Sequence, residues 1–415
     1  MVIRTVIVAA TVSACSAFDD QRAGAWSDSQ EQPDGVTSTD YGAALTSVDR
    51  EQPGATIVVA GLNPRSFTTM SYDDRGELRQ SGAEFPEVTL LGTPAIAGAT
   101  DPIDGGDGVF AVGGLEAGDP MRLYDARTGP QGPVLRATIQ PDVCGADIDF
   151  IGGALVFGLT GAGSAIEPDL VALAGDGSEL LLFPDILLLD EPECHRCTLP
   201  SSATDLAIDE IGDLDGEEIF VLTDEVLVLG AAAVAAGGAC SAPLVRLVPP
   251  EGEPPFGTRI ETGDVDANES PEVFVPSELG NRIYVARDVG SSDPDAPLLV
   301  VPSPAGSVAF GTAITTGDFR DDGCEELAVG DPGASPETVT GAGQVTVYRF
   351  DDIDGFVPIA TLYDSTPEPD QAFGRTLTVT EFVAGGAAPD LLVVGAAREV
   401  FTYFRFVADA DDPRQ

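Results

Sequence analysis

Two short acidic runs hold the residues whose types and spacing could do chemistry. From Asp264 to Glu272, oxygen side chains fall at positions one, three, five and nine of a nine-residue loop: Asp264, Asp266, Asn268 and Glu272. Ser270, at position seven, can add its main-chain carbonyl. Calcium takes six to eight hard oxygens at roughly 2.3–2.6 Å and tolerates irregular geometry. Three carboxylates this close repel one another, and a bound Ca2+ would relieve the repulsion while pinning the turn. The run Asp318 to Glu326 keeps the frame, with Asp318, Asp322 and Glu326 at one, five and nine and the Cys324 carbonyl at seven. Its position three is Arg320, which cannot ligate a cation. Either Arg320 swings outward while a water or Asp321 completes the shell, or its guanidinium replaces the ion as the internal positive charge. Asp213-Leu214-Asp215-Gly216-Glu217-Glu218 reads as a shortened loop, too short to close the same cage. The acids around Asp49 and Glu51, and at Asp101, Asp104 and Asp107, are weaker still, and Glu381 to Pro389 has lost its ligands.

The elements that must position these loops recur with them. Phe256-Gly257 precedes the first loop and the strand Val273-Phe274-Val275 follows it; Phe310-Gly311 and Leu327-Ala328-Val329 bracket the second. Tyr41-Gly42 and Phe373-Gly374 mark more worn copies. One mid-strand residue from each copy (Val58, Phe110, Val156, Phe220, Phe274, Ala328, Val393) gives a mean spacing of about 56 residues, near the period of propeller blades. Helical periodicity is almost absent, and the Ala/Gly-rich run Gly230 to Gly238 reads as a loop or a single helical turn.

These residues resemble the FG-GAP repeat of the integrin α-subunit propeller, most clearly in copies five and six. The resemblance implies an all-β fold, a seven-bladed β-propeller of four-stranded antiparallel blades over residues 41–407, with an acidic tail at 408–415. It implies structural calcium at loops on one face. Partners would then meet the opposite face, made by loops from second to third strands, here 331–341, 276–281 and 158–167. Those loops are polar, with few aromatics. Copy seven lacks a fourth strand after Phe406, so a strand from the N-terminal region is expected to complete it.

Charge excludes one class of partner. The chain has 69 acidic and 20 basic residues, a formal net charge of −49, and every basic side chain is Arg. Nucleic acid needs basic patches that this sequence lacks, and the dispersed acid suits a solvated, self-repelling surface. Forty-eight Gly and 32 Pro among 415 residues suit short strands and many turns.

Arg4, the apolar run Thr5 to Val12 and Val12-Ser13-Ala14-Cys15 read as a lipoprotein signal peptide over residues 1–14, too short to span a bilayer. Cys15 would carry the lipid, residues 15–40 would form a flexible tether, and the protein would sit in the cell envelope, at the outer membrane or cell surface. Five further cysteines follow in this exported setting, where disulfides are expected. The favoured pairing joins Cys194 and Cys197 to Cys144 and Cys240 and leaves Cys324 unpaired; the connectivity stays open.

Catalytic patterns are missing. There is no G-x-S-x-G, no phosphate-cradling Gly-rich loop and no H-E-x-x-H, and His195 is the single histidine. The expected function is a non-catalytic, calcium-binding propeller that recognises a protein or glycan. The alternatives are a carbohydrate-binding or polysaccharide-active envelope protein, and a scaffold within an envelope complex.

Overall fold

The computed structural model describes residues 26–31, 43–48, 56–61, 66–72, 78–84 and 95–404, less 100–107, 115, 127–132, 164–166, 189–191, 212–215, 241–242, 269, 288, 290–297, 352, 381–389 and 398. Cys15, the signal and tail, Tyr41-Gly42, Asp49, Glu51, Asp101, Asp104, Asp107, Asp213 to Asp215 and the copy-seven loop lie outside these residues.

β1 (Trp26–Glu31) opens the described chain and is met again at its end. The first blade is β2 (Ala44–Val48), β3 (Thr56–Gly61), β4 (Ser66–Tyr72) and β5 (Leu78–Glu84). The second is β6 (Ile96–Ala99), β7 (Val109–Val112), β8 (Met121–Asp125) and β9 (Val134–Ile139). The third joins β10 (Ile151–Gly158), β11 (Asp169–Ala174), β12 (Glu179–Phe183) and β13 (His195–Thr198). The fourth begins with β14 (Asp205–Asp209), β15 (Glu218–Leu222) and β16 (Val226–Leu229). The chain then leaves through a one-turn helix, α1 (Ala231–Ala235), and β17 (Gly238–Ala239) before β18 (Val245–Leu247) completes that blade. The fifth is β19 (Glu261–Gly263), β20 (Glu272–Pro276), β21 (Arg282–Ala286) and β22 (Leu299–Pro302). The sixth is β23 (Ile314–Gly317), β24 (Glu326–Asp331), β25 (Gln344–Asp351) and β26 (Gly355–Leu362). The last sheet takes β27 (Thr376–Thr380), β28 (Leu391–Gly395) and β29 (Glu399–Phe404), and β1 pairs antiparallel with β29 at its edge.

The expectation of a seven-bladed β-propeller of four-stranded antiparallel blades is corrected to six blades, on two counts. Six blades are each built from one stretch of the chain, the fourth interrupted by β17, and the remaining sheet is a composite of the two ends of the described chain. Three strands from copy seven leave an open hydrogen-bonding edge, and β1, from the stretch read as tether, covers it. The third blade also has a fifth strand, because β17 pairs in parallel with β13. The first strands of successive sheets abut in order, β2 to β6, β10, β14, β19, β23 and β27, and β27 returns to β2, so the sheets close into a ring.

The second strands explain the apolar runs. β7, β11, β15, β20, β24 and β28 are buried at every position. A strand covered on both faces reads as a continuous apolar run rather than an alternation. Each hydrophobic cluster accordingly spans two neighbouring sheets; one joins Val273 and Tyr284 to Phe220 and Val228, and another joins Phe274 and Phe310 to Leu327 and Tyr348. The sequence expectation centres copy three on Val156, yet Val156 lies on the first strand β10 and the equivalent second strand is β11. Both strands are apolar, so periodicity alone did not separate them.

The Phe-Gly pairs sit on the connections between blades. Phe256, Phe310 and Phe373 are buried against ring edges of the third strands, Tyr284, Tyr348 and Phe401 respectively, with centroids at 5.6, 6.3 and 5.0 Å. The glycine N–H then donates to the end of the second strand: Gly257 to Pro276 O (2.7 Å), Gly311 to Gly330 O (2.9 Å), Gly374 to Gly395 O (3.1 Å). Gly311 and Gly374 hold φ of 86° and 83°, a region open to glycine.

Two disulfides fasten the third blade, Cys144–Cys194 and Cys197–Cys240. The second ties β13 to the segment that the fourth blade sends back as β17. Cys324 is disulfide-bonded too, which corrects the expectation of an unpaired thiol; no described cysteine is free. Among the described residues no helix is long and apolar enough to cross a membrane.

Replacing Cys197 and Cys240 together by Ala opens a link across 43 residues and should cost about 2–5 kcal/mol of unfolding free energy. Guanidinium denaturation measures it, and an unchanged midpoint would contradict a clasp between the third and fourth blades.

Candidate metal centre

Each acidic loop joins the first strand of a blade to the second, and the ladder fixes its ends: Gly263 pairs with Glu272, Gly317 with Glu326 and Asp209 with Glu218. The last residue of the loop folds back on the second. Val265 N–H donates to Glu272 Oε2 at 3.0 Å, Phe319 N–H to the Glu326 carboxylate, and Ile211 N–H to Glu218 Oε2 at 2.9 Å. The side chains of Val265, Phe319 and Ile211 plug the blade beneath. A buried carboxylate closing its own turn is therefore the common device of the three loops. The fourth-blade loop is not shortened: it runs from Glu210 to Glu218 at the same length. Asp213 and Asp215 fall out of phase with the ligand positions, and Gly212 and Leu214 occupy them.

In the fifth blade the carboxylates of Asp264, Asp266 and Glu272 come together, their ligand atoms within 4.8 Å of one another. Glu272 is fully buried and Asp266 is 6% exposed. Asn268 is exposed instead, its Oδ1 accepting from Ser270 N–H at 2.8 Å, while its own N–H donates to Asp264 Oδ1 at 3.0 Å. Asn268 thus shapes the turn around the three acids. Sequence reasoning missed Arg287, which follows β21, pairs with Asp266 Oδ2 and lies over the Phe350 ring at 4.6 Å. No local spacing could reveal it, because the contact joins a third strand to a loop 21 residues earlier.

The sixth-blade loop is built differently. Asp318 Oδ1 and Oδ2 accept from Asp322 N–H (3.1 Å) and Gly323 N–H (2.8 Å), and Asp322 Oδ1 accepts from Cys324 N–H (3.3 Å). Arg320 turns inward, with Nη1 3.2 Å from Asp322 Oδ2 and 3.6 Å from Glu326 Oε1. Burial first, then the charges of Asp322 and Asp318, push the Glu326 carboxyl up to about 9, against the pull of Arg320.

The loops interlock around the ring. Glu325 N–H donates to Asp264 O at 3.2 Å; Asp390 N–H donates to Asp318 O at 2.9 Å, and Asp318 N–H returns a bond to Asp390 Oδ2 at 2.9 Å. Glycine precedes both loops because a side chain at 263 would strike Glu325 and Thr316 of the next blade, and one at 317 would strike Val379 of the last sheet. Asp205, Asp209, Glu261 and Glu325 thereby gather near the inner strands. Burial raises the carboxyls of Asp205, Asp209 and Glu261. In Glu325, burial and then the charges of Asp209, Asp390 and Asp264 push it up to about 7, while a bond to Thr316 opposes them.

Of the loops named for partner contact, 276–281 and 331–341 do join second to third strands. The loop 158–167 does not. It joins β10 to β11, on the face of the acidic loops, where Glu217 N–H reaches Leu159 O at 2.9 Å. This correction has the same cause as the misplaced Val156.

Residues 310–348 match the FG-GAP repeat. The chain is a β-propeller that carries an FG-GAP repeat. No curated protein matches it. The matched FG-GAP segment is the sixth blade from its Phe-Gly pair to Tyr348, and it contains the Arg320 loop. The converging carboxylates lie one blade earlier.

An acid whose carboxyl is raised on folding holds its proton more tightly in the native chain, so stability declines as pH climbs from the unfolded value. For Glu325 that window runs from 4.5 to about 7. In calcium-free buffer the urea midpoint should be higher at the acid end of that window than above it, and Glu325→Gln should shrink the difference. A variant with an unaltered pH slope would remove Glu325 from this account.

Proposed function

We propose that this protein is a non-catalytic, envelope-anchored propeller, braced by calcium, that presents its second-to-third-strand face to a protein or glycan. The single observation carrying the metal reading is the convergence of Asp264, Asp266 and Glu272 within one closed loop. Three carboxylates opposed by the one guanidinium of Arg287 leave two negative charges, which suits a divalent cation of hard-oxygen preference. Asp264, Asp266 and Glu272 would hold it, with the Ser270 carbonyl within the same turn. Bound there, calcium would supply charge compensation and stiffness, not a reactive species.

Recognition rather than turnover is supported by the FG-GAP repeat, since propellers of that kind are generally non-enzymatic. The face opposite the acidic loops carries 276–281, 331–341 and the connections between blades. Leu279 is 67% exposed and Val308 69% exposed. Gly280 lies against Phe310 O and Gly333 against Val308, so these loops form one neighbourhood. The turn beside them holds Glu337 and Thr338 at φ of 51° and 70°, a strained conformation of the kind found at recognition loops. Anchoring through a lipid on Cys15 rests on Val12-Ser13-Ala14-Cys15; it competes with a disulfide, since Cys15 is the one cysteine of the sequence outside the two assigned pairs that could join the disulfide-bonded Cys324.

Calcium at a hundredfold excess over its Kd should add about 2.7 kcal/mol, seen as a higher Tm that chelation reverses. Asp264→Ala should lose this response; an unresponsive wild type would end the metal reading. Leu279→Asp with Val308→Asp should leave Tm unchanged and abolish binding on protein and glycan arrays. Mass spectrometry of the mature N-terminus should show a diacylglyceryl thioether at Cys15, and a disulfide-linked Cys15 peptide would refute the anchor.

A further inference from the structure

The sixth blade is the one that matches the FG-GAP repeat, a repeat associated with calcium, and its loop does not fit the ion. We infer that in this blade Arg320 replaces calcium, so that the loop is closed permanently and without metal. This deepens the calcium reading of the fifth blade without depending on it.

Four observations carry the substitution. Position three, which in the Asp264 loop supplies the buried carboxylate of Asp266, is Arg320. Its side chain is 17% exposed and turned into the loop, so it is not displaced outward to leave a cation its place. Its Nη1 stands between Asp322 and Glu326, at 3.2 and 3.6 Å, the side chains at positions five and nine. Lastly, Asp318 spends both of its oxygens on the amides of Asp322 and Gly323. The guanidinium supplies the positive charge and the volume that an ion would supply. Its planar fork can serve two carboxylates at once, and it stays charged at any physiological pH. Among the described residues, the ligand group that converges for a metal is the Asp264 group; the carboxylates of the Asp318 loop do not form one.

The two loops therefore divide the work. The fifth-blade loop responds to calcium, whereas the sixth-blade loop, bonded to it through Glu325 N–H and Asp264 O, stays closed in its absence. The permanently closed loop offers a rigid wall against which its neighbour can order when the ion arrives.

Calcium stoichiometry of the purified chain, measured by equilibrium dialysis against calcium chloride, tests the inference. Wild type should bind one ion, Asp318→Ala should still bind one, and Arg320→Asp, which restores an acid at position three, should bind two. The double variant Arg320→Asp with Asp318→Ala should return to one. A wild type binding two ions, with Asp318→Ala reduced to one, would overturn the inference and leave the fifth-blade site intact. A wild type binding none, with one ion gained by Arg320→Asp, would defeat the fifth-blade reading and uphold this one. Should Arg320→Asp fail to fold, thermal melts of Asp318→Ala decide. The expected loss of Tm is the same with and without calcium, because Asp318 acts on the turn; a loss confined to calcium-loaded protein would overturn the inference.

Discussion

Each blade has its second face covered by a neighbour, and most of the structure follows from that dependence. A four-stranded sheet cannot bury both of its faces alone. The second strands here are covered on both sides because adjacent sheets press on them. Closure is then obligatory, since a ring with one exposed sheet would leave an apolar face in water. The composite sheet of β27, β28, β29 and β1 meets that demand, at the cost of making ring integrity depend on a strand far away in sequence.

Ring packing also explains why the acidic loops behave as a set. First strands crowd the centre, so the loops leaving them meet across blade boundaries, through Glu325 on Asp264 and Asp390 on Asp318. Burial first, and then the charge of neighbouring acids, raises the carboxyls of Glu261, Glu325 and Glu326, and the protein answers in two ways. Arg287 and Arg320 bring guanidinium groups to Asp266, Asp322 and Glu326. Buried carboxylates such as Glu272 and Glu218 also accept bonds from their own loop amides. Buried ion pairs of this type are weak evidence for net stability, because desolvation offsets their attraction. Their effect is to fix one loop conformation.

The Phe-Gly connections are the mechanical counterpart on the opposite face. The aromatic ring enters the core against the third strand while the glycine amide ties the connection to the end of the second. At the three connections that carry it, one residue pair thus joins packing and hydrogen bonding.

The sequence by itself determined the all-β class, the repeating unit, the Asp264 frame and the set of four cysteines that pair around the third blade, because each depends on residues close in the chain. Copy three slipped by a strand, since two adjacent apolar strands give the same local signal. Only the tertiary structure decided that β17 joins a neighbouring blade in parallel, which N-terminal strand completes the last sheet, and that Glu210 to Glu218 is a full-length loop out of phase. It also decided the side on which Arg320 falls and revealed Arg287, whose charge reaches Asp266 from another strand. Contacts of that kind are made across the ring, where the order of residues along the chain no longer says which of them are neighbours.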